Sequence, residues 1–187
     1  MALLAESLVE EWLNRNQYFT IRGVKTGVDE IDILGINVKS GKAIHLESQV
    51  SFRPVGYISP LPKSFAKELG RSPTSAWERP EDILEKSVES WIQKKYHSKK
   101  KIAARNHFAP KQDWSLILVH GIVREEKELE FIKAKGIRLI PFYNILQTIC
   151  TASENEPFKA HSGTDIAEMI EFYSFKTLYS PNANIFI

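Results

Sequence analysis

Residues 27–51 read GVDEIDILGINVKSGKAIHLESQVS, and the rest of the chain is best understood from this stretch. It predicts two apolar-rich β-strands, residues 30–38 and 42–50, because β-branched and aliphatic residues dominate both segments. We expect a tight turn at Ser40-Gly41, since glycine supplies the positive φ that a two-residue hairpin loop requires. The stretch is therefore interpreted as a β-hairpin.

The register of this hairpin brings acidic residues together. If Ser40 and Gly41 form the loop, Leu34 pairs with Glu47 and Asp32 pairs with Gln49. Paired residues share a face of the sheet, and every second residue along a strand returns to it. Asp32, Glu47 and Gln49 are thus predicted on one face, with His45 beyond them, and a slip of one residue would separate them.

Asp32 and Glu47 would repel each other if both are ionised, and each would raise the pKa of the other. A hard divalent cation with oxygen ligands, such as Mg²⁺, Mn²⁺ or Ca²⁺, neutralises such a pair. The alternative is that both carboxylates face water or form ion pairs with Lys and Arg side chains.

Composition sets the class of protein. The 187 residues fit one domain, and 43% hydrophobic with 26% charged residues is typical of a soluble globular protein. The single cysteine, Cys150, excludes an internal disulfide and a Cys-rich zinc site and suits a reducing cytoplasm. Glu6, Glu10 and Glu11 interrupt the first apolar run, which argues against a signal peptide, and no apolar stretch is long enough to span a membrane. A net charge of +2 does not by itself indicate a nucleic-acid partner.

Periodicity and turn residues predict the remaining elements. In chain order these are a helix at 2–15, a short strand at 18–21, a Pro-rich excursion at 52–80 with a short helix at 63–69, a helix from 80 to 96, a strand at 114–121, a helix at 124–135, a strand at 137–140, a helix at 141–151 and a last helix at 166–175. The order predicts an α/β fold with a mixed central sheet of about five strands flanked by helices. We expect one domain, 1–187, with the excursion at 52–80 and an appended C-terminal helical segment at 155–187.

A basic run, KKYHSKKKIAAR, occupies residues 94–105 and contains six Lys and Arg residues and no acidic one. Clustered cations near a candidate metal site would form an electrostatic footprint for phosphate groups. Such a run is also typical of a solvated helix end. The residues predicted to bind nucleic acid are Lys94, Lys95, Lys99, Lys100, Lys101 and Arg105.

The order of elements and the acidic hairpin resemble the PD-(D/E)XK nuclease superfamily, with its restriction endonuclease-like core, and most of all Mrr-type restriction nucleases and archaeal Holliday junction resolvases. The resemblance covers residues 3–53 and 113–146. The segments that match the family pattern are Glu6 ahead of Tyr18, EIDIL at 30–34, LESQ at 46–49, WSLILVHG at 114–121 and GIRLIPF at 136–142. The family pattern implies that Asp32 and Glu47 bind Mg²⁺ or Mn²⁺, with Glu6 completing the site.

One position departs from the family pattern, because Gln49 stands where the family has a lysine. That lysine is thought to activate the attacking water and to offset charge on the phosphate. A glutamine amide can hold water by hydrogen bonds but brings no charge. A lysine from another element could replace it, and Lys25, Lys63 and the run at 94–101 are candidates.

The resemblance implies a metal-dependent endonuclease that hydrolyses DNA phosphodiester bonds. Asp32, Glu47, Gln49 and Glu6 would form the catalytic site, and His45 would touch substrate or support a metal ligand from behind. The expected partner is nucleic acid, and the sequence leaves open whether the chain forms a homodimer. Two alternatives remain: a catalytically silent nuclease-like fold that acts as a nucleic-acid binding or assembly module, and an unrelated α/β protein in which Asp32 and Glu47 form salt bridges without a metal.

Overall fold

The structure, a computed structural model, describes residues 2–51, 53–74 and 77–151. It contains one five-stranded mixed sheet flanked by helices, which confirms the predicted fold class. The elements are α1 (Ala2–Arg15), β1 (Tyr18–Thr26), β2 (Asp29–Asn37), β3 (Ala43–Gln49), α2 (Lys63–Glu68), α3 (Glu81–Lys95), α4 (Lys99–Phe108), β4 (Trp114–His120), α5 (Glu126–Ala134), β5 (Arg138–Pro141) and α6 (Phe142–Thr151).

The strands lie in the spatial order β1-β2-β3-β4-β5. The first three form an antiparallel meander, whereas β3, β4 and β5 run parallel. Alternation along β4 divides the core into two layers: Ile117 and Val119 pack with α1 and α6, and Leu118 packs with α3 and α5. Because both faces of β4 are covered, its residues 116–119 are all apolar, as is usual where parallel strands are buried, whereas β3 carries His45 and Glu47 on one face.

The hairpin forms as predicted, but its predicted register is wrong by two residues. Leu34 pairs with His45, and Ile36 pairs with Ala43. The loop is longer than two residues because the Asn37 side chain organises it: Oδ1 accepts hydrogen bonds from the backbone N–H groups at 39 and 40. A slip of two preserves the face of every side chain, so the predicted grouping of acidic residues survives the error.

The two-residue turn occurs instead between β1 and β2. Strand β1 continues to Thr26, beyond the predicted end at Ile21, and Thr26 pairs with Asp29. Gly27 lies in the turn with a φ of +89°, a conformation that glycine adopts without a steric cost. The extension follows from pairing along β2, which supplies partners for the whole strand.

The basic run is not the end of a long helix. Helix α3 ends at Lys95, and a separate helix α4 begins after Ser98, whose side chain accepts a hydrogen bond from the backbone N–H of Lys101. Tyr96 lies at the junction, fully buried, and donates a hydrogen bond of 2.9 Å to the carbonyl of Ile117. The junction is thereby fixed to β4, and both helix ends are directed toward the sheet.

The Pro-rich excursion folds onto the loop after β4, and its predicted short helix is present as α2. Val55 donates to the carbonyl of Ile122 at 3.0 Å. Glu128, fully buried on α5, accepts hydrogen bonds of 2.7 Å from the N–H groups of Ile58 and Ser59, and a further one from the Ser59 hydroxyl. Arg79 donates to the Ser59 carbonyl at 2.7 Å, which closes the excursion on itself.

The predicted helix at 166–175 and the segment at 155–187 lie outside the described residues. Within residues 2–51, 53–74 and 77–151, no helix is both long and apolar enough to cross a membrane.

Glu128→Ala should destabilise the protein by about 2–4 kcal/mol, because it leaves buried donors of the excursion without an acceptor. Urea denaturation measures the loss, and limited proteolysis should show faster cleavage within residues 53–74. Glu130→Ala, on the same helix but exposed, is the control and should change stability by less than about 0.5 kcal/mol. Equal effects of the two substitutions would contradict the anchoring role of Glu128.

Candidate functional site

Asp32 and Glu47 lie on neighbouring strands and face the same layer. Glu47 is the register partner of Leu118, whose side chain packs under α3, and Asp32 shares this face because it is two residues from Leu34, the partner of His45. Both carboxylates are buried, with Glu47 0% exposed and Asp32 7% exposed. The grouping predicted from the hairpin is therefore present, inside the fold rather than on an open surface.

Glu47 is surrounded by donors. Lys101 Nζ lies 2.6 Å from Oε1, and Lys95 Nζ lies 2.7 Å from Oε2. His45 Nε2 lies 3.0 Å from Oε1. Burial alone would raise the pKa of Glu47, but the hydrogen bond from His45 and the charges of both lysines outweigh it and hold the pKa below its ordinary value. Glu47 is therefore ionised, and Lys95 and Lys101 balance its negative charge.

Asp32 has a different environment. Its Oδ2 accepts a 2.6 Å hydrogen bond from the backbone N–H of Ser48, and no basic side chain in the described part of the chain lies within ion-pair distance of it. Burial and the charge of Glu47 raise the pKa of Asp32 from 3.8 to about 6, whereas the Ser48 hydrogen bond and the charge of Lys95 oppose the shift. The ionised form of Asp32 is thus disfavoured by burial and by the charge of Glu47, and a cation beside it would lower this cost.

His45 is hydrogen-bonded to both Glu47 and Arg105. Arg105 Nη1 lies 2.9 Å from His45 Nδ1, and a guanidinium can only donate, so Nδ1 is the acceptor and Nε2 carries the proton that is donated to Glu47. Burial lowers the pKa of His45 to about 4, which keeps the ring neutral. The structure therefore places His45 beside Glu47, and its support of a metal ligand stays a prediction.

Glu6 is buried on α1, although helical periodicity alone does not direct it toward the sheet. Burial and the charge of Glu30 raise its pKa, and the charges of Lys95 and Glu47 also act on it. Among the described residues no side chain donates a hydrogen bond to its carboxylate. Glu6 thus belongs to the same electrostatic group as Asp32 and Glu47.

The predicted nucleic-acid-binding residues differ in exposure. Lys101 and Arg105 are buried and are engaged by Glu47 and His45, so they cannot present their charges to a polyanion outside. Lys95 is half-buried and pairs with Glu47, and Lys94, Lys99 and Lys100 are exposed. No local pattern in the sequence indicates which of these residues turn inward, because the contacts that bury them join residues far apart in the chain.

Gln49 is half-buried at the end of β3, where its carbonyl accepts a hydrogen bond of 3.2 Å from Gly121 N–H. Of the lysines considered as replacements for the missing family lysine, Lys25 pairs with Glu30 at the surface and Lys63 is exposed at the start of α2. Neither contacts the buried carboxylates. Lys95 and Lys101 do, and the break between α3 and α4 allows both to reach Glu47.

No group of three or more His, Cys, Asp or Glu side chains within the described ranges is arranged to hold a metal ion. The donors of the site are hard carboxylate oxygens, the type that Mg²⁺ and Mn²⁺ prefer. Of the two hairpin carboxylates, Asp32 has no cationic contact among the described residues, whereas both oxygens of Glu47 are bonded to lysines, one of which a metal ion would have to displace.

Comparison with protein-family models, curated proteins and solved structures gives no match. The resemblance to PD-(D/E)XK nucleases therefore stays a prediction from the sequence.

Asp32→Asn should stabilise the protein at pH 8 in the presence of EDTA. A folded-state pKa raised from 3.8 to about 6 means that the stability associated with protonated Asp32 is present below pH 3.8 and lost as pH rises through 6, a change of up to about 3 kcal/mol. The gain from Asn should thus reach about 3 kcal/mol at pH 8 and vanish near pH 4. Urea denaturation at both pH values checks this, and a pH-independent difference would contradict it.

Lys101→Met should cost about 3 kcal/mol, since removal of one partner of a buried ion pair leaves the other charge poorly compensated. Adding Glu47→Gln to this variant should recover part of the loss, so that the double substitution costs at least about 1 kcal/mol less than the sum of the single ones. Lys99→Met, exposed on the same helix, serves as the matched control. Additive effects in urea denaturation would show that the two side chains do not interact.

Proposed function

We propose that this protein is a metal-dependent endonuclease that hydrolyses phosphodiester bonds of nucleic acid, with DNA as the substrate. The observation that carries the proposal is the state of Asp32: a buried carboxylate beside Glu47, without a cationic contact in the described chain and with its pKa raised to about 6. Strongly perturbed titratable groups that cluster in one place are typical of functional sites.

Asp32 and Glu47 would hold Mg²⁺ or Mn²⁺, and Glu6 would add a third carboxylate to the group. The ion would lower the pKa of a bound water and screen the phosphate. Gln49, half-buried at the end of β3, would orient the attacking water through its amide group. His45 would keep the Glu47 carboxylate in place through its Nε2 proton.

The exposed lysines Lys94, Lys99 and Lys100 would contact the phosphate backbone next to the site. Nucleases that cut both strands of a duplex often act as dimers, so a homodimer would suit this function. The cytoplasm, reducing and rich in nucleic acid, is the compartment that fits the single cysteine.

A second function, a catalytically silent nucleic-acid binding or assembly module, has one specific observation in its favour. Both carboxylate oxygens of Glu47 already accept bonds from Lys95, Lys101 and His45. A metal ion is not required to neutralise this carboxylate, and a module that only binds would need nothing more.

We expect the protein to nick supercoiled plasmid or branched DNA with Mg²⁺ or Mn²⁺ and not with EDTA. Asp32→Ala and Glu47→Ala should each reduce the rate by at least about 100-fold, since loss of a group that supports a metal already costs 10- to 100-fold and these would be ligands. Asp82→Ala, exposed on α3, is the control and should cut at the wild-type rate.

Calorimetry separates the two functions. Retained DNA binding without cleavage and without heat on addition of Mg²⁺ or Mn²⁺ would support the silent module. Absence of DNA binding, metal binding and cleavage together would overturn both.

A further inference from the structure

We propose that the cavity inside the Pro-rich excursion is a binding site for a small organic carboxylate, which the guanidinium of Arg79 would hold. None of the described residues that line this cavity belongs to the cluster around Asp32 and Glu47. The site therefore requires neither a metal ion nor the nuclease function proposed above, and its test can fail while that function stands.

The first argument is the size and lining of the cavity. It has a volume of about 340 Å³, and its apolar walls include Val55, Ile58, Pro60 and Pro73. Among the described residues that line it, Arg79 alone carries a formal charge. Cavities of a few hundred Å³ with apolar walls and few polar groups are typical of small-molecule sites. The volume suits a ligand with one ring or a short chain, and the walls would bury its apolar body.

The second argument is the fixed position of the Arg79 guanidinium. The guanidinium carbon lies over the Tyr57 ring, 4.0 Å from its centroid. Nη1 donates a hydrogen bond of 2.7 Å to the Ser59 carbonyl, and the backbone N–H of Arg79 donates one of 3.0 Å to the Tyr57 hydroxyl. The group is thus oriented before a ligand arrives, which lowers the entropic cost of binding.

The third argument is the incomplete pairing of the Arg79 charge. A guanidinium has five N–H donors, and within the described chain Nη1 is the nitrogen that reaches an acceptor. The charge of Glu128 acts on Arg79, but the oxygens of Glu128 accept hydrogen bonds from Ile58 and Ser59 instead. Arg79 is 7% exposed, and burial lowers its pKa because burial disfavours the charged form. A buried cation without a direct ion pair is costly, so an anion beside it would stabilise the folded chain.

The position of Glu128 favours a carboxylate over a phosphate monoester. Because the charge of Glu128 acts on Arg79, it would also repel an anion in the cavity. At the same distance the repulsion is twice as large for a doubly charged phosphate as for a singly charged carboxylate. A carboxylate is planar and pairs with a guanidinium through two parallel hydrogen bonds. Stacking on Tyr57 uses the face of the guanidinium and leaves the Nε and Nη2 donors at its edge for this pair.

Occupation of the cavity would be linked to closure of the excursion. The walls come from residues 55–60 and from a second segment that begins at Pro73. The backbone N–H of Leu61 joins the two segments, since it donates a hydrogen bond of 2.8 Å to the Pro73 carbonyl. A ligand that contacts both segments binds the closed form in preference to an opened one. At ten times its dissociation constant it should slow proteolysis within residues 53–74 by about tenfold.

The test measures binding of benzoate, 3-phenylpropionate and hexanoate by calorimetry and thermal unfolding. We expect at least one of these acids to bind with a dissociation constant of about 1 mM or below, to raise the unfolding temperature and to slow the proteolysis. The neutral amide of that acid should bind at least about tenfold more weakly, because it lacks the charge that pairs with Arg79. Inorganic phosphate and adenosine monophosphate, at the same concentration, should neither bind nor compete.

Two variants locate the ligand. Arg79→Gln keeps a donor for the Ser59 carbonyl but removes the charge, so it should bind the acid and its amide with equal affinity. Arg71→Gln changes an exposed cation of the same excursion outside the cavity, and as the control it should bind like the wild type. Thr74→Trp fills the cavity from its exposed rim and should abolish binding of the acid without lowering the unfolding temperature. It decides the question if Arg79→Gln does not fold.

Four results would each overturn this site. The first is the absence of binding by all three acids, and the second is equal binding of an acid and its amide to the wild type, which would describe an apolar cavity without anion recognition. The third is unchanged binding of the acid to Arg79→Gln and Thr74→Trp, which would place the ligand elsewhere. The fourth is tighter binding of either phosphate compound than of the acids. Plasmid nicking by the wild type is measured separately, so none of these results decides the nuclease function.

Discussion

The packing of α3 and α4 on the sheet depends on compensation of the buried negative charge of Glu47. Glu47 projects from the central strand β3 with no exposure to solvent, and an ionised carboxylate there is tolerated only because donors reach both of its oxygens. Lys95 comes from the end of α3 and Lys101 from the start of α4, so the same ion pairs hold two helices against the sheet. Arg105 donates a hydrogen bond to His45, and His45 donates one to Glu47. These bonds fix the orientation of the Glu47 carboxylate.

The negative charges of the three buried carboxylates are not compensated equally, and this difference distinguishes Asp32 and Glu6 from Glu47. Glu47 receives two ammonium groups, whereas Asp32 receives a single backbone N–H and Glu6 is buried near other acids. A carboxylate whose ionised form is disfavoured binds a cation at a gain, since the cation removes the cost of its charge.

A second buried carboxylate organises the excursion in the same manner. Glu128 collects the backbone donors of Ile58 and Ser59, and Arg79 closes the loop from the other side. The excursion starts directly after β3 and meets the chain again beyond the end of β4, which places it at the carboxyl edge of the parallel strands. In open α/β sheets, ligands bind outside this edge. The excursion therefore lies beyond the carboxyl ends of β3 and β4.

Local patterns determined much of this protein. The helix at 2–15, the buried strands of the parallel pair and the shared face of Asp32, Glu47 and His45 all follow from periodicity, which depends on neighbours in the chain. The exact hairpin register did not, because the Asn37 side chain rebuilt the loop. Only the tertiary structure decided which lysines turn inward, since Lys95 and Lys101 meet Glu47 across 48 and 54 residues. Such contacts arise when packed helices bring distant charges together. The partners of a buried carboxylate are then the cations that lie near it in space, whatever their separation along the chain.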